Sequence, residues 1–220
     1  MVELIRGLSA ERVRANLERV RAEIEGCGRD PSEVEILAAV KYVADEELEV
    51  LAEAGIELVG ENRAQDLERR ADPYGEWFAW DFIGTLQSRK VRAVLPHVRY
   101  IHSVATDSAL RQLERFGGED TEILVEVNVS GEEGKAGVPA EGLGSFLERS
   151  PVRVLGLMTM PPLTTDPERS RPYFASLSRL AERHGVRHLS MGTSQDYVVA
   201  VQEGATIVRL GMTLYGPRAS

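Results

Sequence analysis

Cysteine is almost absent. Cys27 stands alone among 220 residues, which excludes an internal disulfide and a Cys-rich structural zinc site. One thiol fits a reducing cytoplasm, the location expected for this chain. Positive charge is also short: 26 Lys and Arg face 35 Asp and Glu, a net charge of −9. Such a balance offers no electrostatic footprint for nucleic acid or an anionic membrane, so neither is expected as a partner. Any phosphate must be held locally. No apolar run approaches the roughly 18 residues of a membrane span, and the N-terminus has no apolar stretch of signal-peptide length. No G-x-G-x-x-G, Walker loop or G-x-S-x-G elbow occurs, and no repeat or low-complexity segment.

What is present is an alternation. Hydrophobic residues make up 43% and charged residues 28%, a balance that supports an ordered core. Short runs rich in Val and Ile lie at 35–41, 56–62, 80–85, 100–105, 122–130, 152–160, 188–192 and 206–216. Several are apolar almost without a break, as strands buried on both faces of a parallel sheet are. Helical patterns separate them, the longest from Glu168 to Gly185, and another amphipathic helix starts near Ser9. Eight such units predict a (β/α)8 TIM barrel with an extra N-terminal helix, one domain over residues 1–220. An open doubly wound sheet is the alternative. The chain ends just after the eighth run, so no further domain is expected.

In a barrel, chemistry collects at the C-terminal ends of the strands. Those ends offer Lys41, Glu61-Asn62, Gly84-Thr85, Ser103, Asn128–Ser130, Met158–Met160, the segment 190–194 and the segment 209–213. If the last strand closes on the first, Lys41 and Arg209 share one mouth. Lys41 is either a lysine whose stem covers core while its head reaches water, or a Schiff-base amine. In "SMGTSQDYVVAVQEG", Gly192 permits close backbone approach, and Thr193 and Ser194 offer hydroxyls and N–H groups where a helix begins. An ordinary N-cap at Ser194 is the alternative. Gly211 and Thr213 add a second Gly/hydroxyl segment beside it. Arg209 is either a buried ion-pair partner or a ligand for a ring nitrogen. His184 and His188 are spaced i,i+4, but Gly185 should end the helix between them, so no metal is expected. Met158 and Met160 read as core, and the loop with Glu132, Glu133 and Lys135 as solvated.

The segments "AAVKYV", "VGENRAQDL", "WDFIGTLQSRK", "VEVNVSGEEGKAGV" and "LSMGTSQDYVVAVQEGATIVRLGMTLYG" together resemble the YggS/PROSC family of pyridoxal 5′-phosphate (PLP) homeostasis proteins. The match runs in order over nearly the whole chain. The resemblance implies a barrel of the alanine racemase N-terminal type with PLP as a Schiff base on Lys41. It implies that Asn62 lines the pocket, that Ser190, Met191, Ser194, Gly211 and Thr213 surround the phosphate, and that Arg209 faces the pyridine nitrogen. Tyr42, Asp81, Arg89 and Thr193 depart from the family pattern, which often has Thr, His, Asn and Met there. The implied function is to carry or buffer PLP in intracellular PLP and amino-acid homeostasis, with apo PLP-dependent enzymes as recipients, no established catalytic activity, and a monomeric state. A PLP-dependent racemase or lyase with an open site is the alternative.

Overall fold

Eight parallel strands close on themselves in the computed structural model, which describes residues 4–216. In chain order the strands are β1 (Glu35–Ala39), β2 (Leu58–Glu61), β3 (Ala79–Phe82), β4 (Tyr100–Val104), β5 (Glu122–Asn128), β6 (Val138–Pro139), β7 (Arg153–Met158), β8 (His188–Thr193) and β9 (Ile207–Leu210). The short β6 only extends β5 beyond its pairing with β7. The other eight form the barrel. β1 pairs with β9, Leu37 opposite Arg209 and Ala38 opposite Leu210, and β4 pairs with β5 on the far side. This double closure removes the open-sheet alternative.

The connections carry α1 (Ala10–Gly26), α2 (Leu48–Glu53), α3 (Ala64–Tyr74), α4 (Val91–Val94), α5 (Asp107–Phe116), α6 (Leu143–Glu148), α7 (Arg171–His184), α8 (Tyr197–Gln202) and α9 (Met212–Tyr215). Helix α1 starts as expected: the Ser9 hydroxyl accepts from the Arg12 amide, and Val13, Leu17, Val20 and Ile24 form its buried stripe. Helix α7 stops at Gly185, whose φ of 65° suits a left-handed cap. No helix in the described residues is long and apolar enough to cross a membrane.

Two apolar layers result. The larger lies between strands and helices. The smaller fills the barrel with Leu37, Leu124, Met158 and Ile207, against which Leu58, Ile83 and Tyr100 pack. Side chains alternate along a strand. Counting two residues from Ile83, Tyr100, Leu124 and Ile207 therefore sends Asp81, His102, Glu126 and Arg209 inward as well.

Several boundaries differ from expectation by one to three residues, and three differences that shape the site lie where a strand meets the barrel mouth. β1 stops at Ala39, so Lys41 sits in the turn beyond it. The run 206–216 divides into β9 and the one-turn helix α9. The helix expected to open at Ser194 opens at Tyr197, after Asp196. A register shift between β8 and β9 lies in the same place. There Gly192 has φ +89°, and a Cβ on it would stand 2.6 Å from the Ala200 Cβ and 2.9 Å from the Tyr197 Cα. The close approach this glycine permits is to α8, not to a ligand. Gly192→Ala should cost about 2–4 kcal/mol, combining left-handed backbone strain with overpacking. Urea denaturation measures it, and an unchanged midpoint would contradict this account.

Candidate functional site

The lysine and arginine meet. A cavity of about 350 Å³ opens at the C-terminal mouth of the barrel, and Lys41, Asn62, Ser194, Arg209, Gly211 and Tyr215 line it. A second cavity, of about 300 Å³, lies at the opposite end beside Glu35 and Arg99. Those two side chains are already paired, and no lysine lines that end, so of these two cavities only the upper mouth offers an amine nucleophile.

Buried Arg70 on α3 holds the turn that carries Lys41. Its guanidinium donates to the carbonyls of Val40 (3.0 Å) and Val43 (2.8 Å), to Asp45 (2.8 Å) and to Glu61 (2.7 Å). The N-terminal segment straps the same turn, with the Ile5 amide donating to the Tyr42 carbonyl at 2.6 Å and the Ala44 amide to the Ile5 carbonyl at 3.1 Å. Glu61, fully buried, accepts from the amides of Asn62 (2.7 Å) and Arg63 (3.3 Å) with its other oxygen. One ion pair thus fixes two strand ends. Burial pushes the Glu61 carboxyl upward against these amides and the Arg70 charge. The Lys41 ammonium stands 4.6 Å from the Tyr42 ring centroid, and no carboxylate within the described residues pairs with it.

On the next wall, the Ser194 hydroxyl accepts from the amides of Gly211 and Thr213, both at 3.2 Å. The Thr213 hydroxyl donates to the Ser194 carbonyl at 3.3 Å. These are amides and hydroxyls with no cation among them, as the acidic composition requires of any local anion site. Thr193 also lines the cavity but is held differently: its amide and hydroxyl both donate to the Asp196 carboxylate, at 2.8 and 3.1 Å, a charged acceptor that binds them more strongly than the neutral Ser194 hydroxyl binds the Gly211 and Thr213 amides. Asp196, rather than Ser194, therefore precedes the helix.

Below the cavity the barrel interior is polar. Arg209 donates to the Ser190 hydroxyl (2.5 Å), the Thr159 carbonyl (3.0 Å) and the Met160 sulfur (2.9 Å). Burial pulls the Arg209 pKa down to about 10, opposed by the charges of Glu126 and Asp196, so it remains a cation at neutral pH. Ser190 in turn meets His102, and His102 meets Asp81. Ser190 lies under Arg209 rather than in the cavity lining. Met191, on the opposite side of β8, is fully buried in the layer against the helices, so its side chain is turned away from the mouth. Met160 departs from the expected core role: it is 47% exposed and lines the cavity. Met158 is in the inner core. No group of metal-ligating side chains occurs in the described residues.

Sequence reasoning missed Tyr215 and His102. Tyr215 is buried, with its hydroxyl facing no hydrogen-bond partner, and burial raises its pKa. The Asn62 side-chain oxygen is likewise buried without a partner. Both line the mouth. His102 was detectable by strand parity, since it and Asp81 occupy inward positions on neighbouring strands.

Known proteins share this fold. Residues 8–219 match the family model described as alanine racemase, N-terminal domain. A pyridoxal phosphate homeostasis protein of Aquifex aeolicus is 37% identical, covering 96% of this chain and 98% of its own length. Its counterpart in Pseudomonas aeruginosa is 33% identical and covers 95% of each. PipY of Synechococcus elongatus, solved with PLP bound, superposes with a TM-score of 0.78 at 26% identity, covering 93% of this chain and 100% of PipY. Alanine racemase of Corynebacterium glutamicum, at 16% identity and TM-score 0.72, shares the fold over 96% of this chain and 61% of its own.

The buried polar floor predicts a pH dependence. Burial lowers the His102 pKa against the opposing hydrogen bond and charge of Asp81. The folded state then binds fewer protons at His102 than the unfolded chain does below about pH 6.5, so this contribution to stability falls as pH drops through that value. Burial raises Asp81, but His102 and Arg99 outweigh it and leave the carboxyl below its ordinary value, a contribution also lost in acid. Raised Glu61 and Glu126 act in the opposite direction. The informative measurement is therefore a difference. The advantage of wild type over His102→Gln in thermal midpoint should shrink as pH falls below about 6.5. A constant gap from pH 8 to 5 would be inconsistent with a neutral buried histidine.

Proposed function

This chain belongs to the pyridoxal phosphate homeostasis proteins, built on the alanine racemase N-terminal-domain barrel, and from that premise we propose that it binds PLP at the upper mouth and carries or buffers it. The observation that supports this most is the cavity shared by Lys41, Arg209, Ser194 and Gly211, with Thr213 hydrogen-bonded to Ser194 just outside its lining. The residues fit such a group. Buried Asn62 and Tyr215 atoms lack partners there, and the anion donors are amides and hydroxyls.

PLP supplies an aldehyde that an amine can capture, a phosphate, and a ring nitrogen. In this reading Lys41 would take the aldehyde at the barrel rim, where the Arg70 clamp and the Ile5 strap hold its turn. Ser194, Thr213 and the amides of Gly211 and Thr213 would hold the phosphate, a phosphate oxygen taking the place that the Ser194 oxygen has at those amides. Arg209 would donate to the ring nitrogen. Being protonated at neutral pH, Arg209 would leave that nitrogen without a proton and so weaken the ring as an electron sink. Neither a carboxylate nor a histidine lines the mouth among the described residues, and Tyr215 keeps its proton. These features favour carriage over turnover. We read the chain as a cytoplasmic monomer whose recipients are PLP-dependent enzymes awaiting cofactor.

Borohydride treatment of the PLP-loaded protein should fix the label on the peptide containing Lys41, one of three lysines in the chain. Label mainly on Lys90 or Lys135 would displace the assignment. Lys41→Ala should abolish the bound-cofactor absorbance and leave the barrel folded, because a turn lysine contributes little to core burial. The carrier reading has its own test. Loaded protein is incubated with L-amino acids in deuterated water and then with an apo-enzyme. Negligible α-deuterium incorporation together with transfer of PLP is expected. Rapid exchange with accumulation of the D-isomer would replace carriage by racemisation.

A further inference from the structure

A single hydrogen-bonded line crosses the barrel from its lower end to Arg209. At the lower end, Glu35 accepts from Arg99 at 2.5 and 3.0 Å. Arg99 also donates to both oxygens of Asp81, at 3.2 and 2.9 Å, and the Tyr100 amide adds a third bond at 3.1 Å. The second Asp81 oxygen lies 3.0 Å from His102 Nε2. His102 Nδ1 lies 2.8 Å from the Ser190 hydroxyl, which lies 2.5 Å from Arg209 Nη1. Asp81, His102 and Ser190 have no exposed surface, and Arg209 has 6%.

Chemistry fixes the direction of every bond. Arginine only donates, so the Ser190 oxygen accepts from Arg209. The Ser190 proton then has one buried partner, His102 Nδ1, which must present its lone pair. The imidazole proton is therefore on Nε2 and points at Asp81, itself surrounded by donors. A protonated His102 would turn two donors on Ser190 and leave the serine proton without a partner in a dry interior, which is costly.

We propose that His102 and Asp81 are positioning residues for Arg209: acting through the Ser190 hydroxyl, they fix the roll of its guanidinium and so the aim of its remaining N–H donors into the cavity. Arg99 and Glu35 anchor the far end of the line. This rests on the reading that sets Arg209 against the ring nitrogen of PLP. Without the line, the Ser190 side chain loses the bond that fixes its rotamer, and in any other rotamer Arg209 keeps only the Thr159 carbonyl and the Met160 sulfur.

The test compares the affinity of PLP with that of its analogue carrying carbon in place of the ring nitrogen. Wild type, Ser190→Ala, His102→Leu and the double variant are measured, with circular dichroism as the check on folding. Ser190→Ala removes one oxygen and keeps the barrel. His102→Leu and Ser190→Ala should each weaken PLP about tenfold and leave the analogue within about twofold, the loss of one well-aimed charge-assisted hydrogen bond. The double variant should lose no more than Ser190→Ala alone, because the histidine acts through the serine. Equal losses for both ligands, or additive losses in the double variant, would overturn the proposal. So would a ligand-free 15N spectrum showing the His102 proton on Nδ1, and that measurement decides the matter even where His102→Leu does not fold. Failure of the underlying reading has a different signature: wild type itself would not distinguish PLP from the analogue.

Discussion

Pairing of the first strand with the last is the constraint on which the rest depends. Leu37 opposite Arg209 and Ala38 opposite Leu210 place the turn after β1 beside the turn after β9. Those turns carry Lys41, and Gly211 with Thr213. An open sheet would put them at opposite edges. The cavity is thus a consequence of topology first and of side chains second. The register is specified because both faces of each strand are buried, so a one-residue slip would exchange the inner and outer layers everywhere.

Given closure, the mouth must be held open and rigid without a covering layer of its own. Two buried arginines do this in different ways. Arg70 works from outside the barrel, satisfying carbonyls of the Lys41 turn and the Glu61 carboxylate together. Arg209 works from inside, tied to Ser190, Thr159 and Met160. Burying such charges is expensive unless they are compensated: Arg70 pairs with Asp45 and Glu61, whereas Arg209 has hydrogen bonds to neutral groups and only the more distant charges of Glu126 and Asp196. A hydrophobic replacement at either position would remove the desolvation cost and also the orientation of the strand ends.

The architecture was legible in the sequence because its signal is repetitive: eight apolar runs separated by capped helical patterns. Helix α1 began at Ser9 and α7 stopped at Gly185 for local reasons that a sequence displays. Boundaries at the mouth were less legible. Lys41 looked like the end of a strand, but tertiary bonds from Arg70 and Ile5 turn the chain two residues earlier. Gly192 looked like a ligand contact, and only the packing of α8 reveals that Tyr197 and Ala200 require it. The polar floor was the least legible part. Asp81 stood out as a departure from a family pattern, yet its meaning depends on Arg99, His102 and Glu35, and no spacing in the chain links those residues. Strand parity gives their direction, but register between strands gives their contact.

The site therefore divides into a floor and a rim of opposite character. On the floor, Asp81, His102 and Ser190 are fully buried, and every side-chain polar atom has at least one geometrically defined partner, so motion there would break several bonds at once. On the rim, Tyr42, Met160, Leu163 and Met212 line the cavity while remaining exposed, Leu163 at 91%. Exposed apolar side chains around an opening lose little packing when they move, and local opening costs least where buried contacts are fewest. A ligand seated here would be oriented from below by fixed donors and bordered above by groups that yield easily. Its orientation would accordingly follow from the interior of the barrel, and its exchange from the rim. That separation lets one fold hold a group in a defined pose without sealing it from its surroundings.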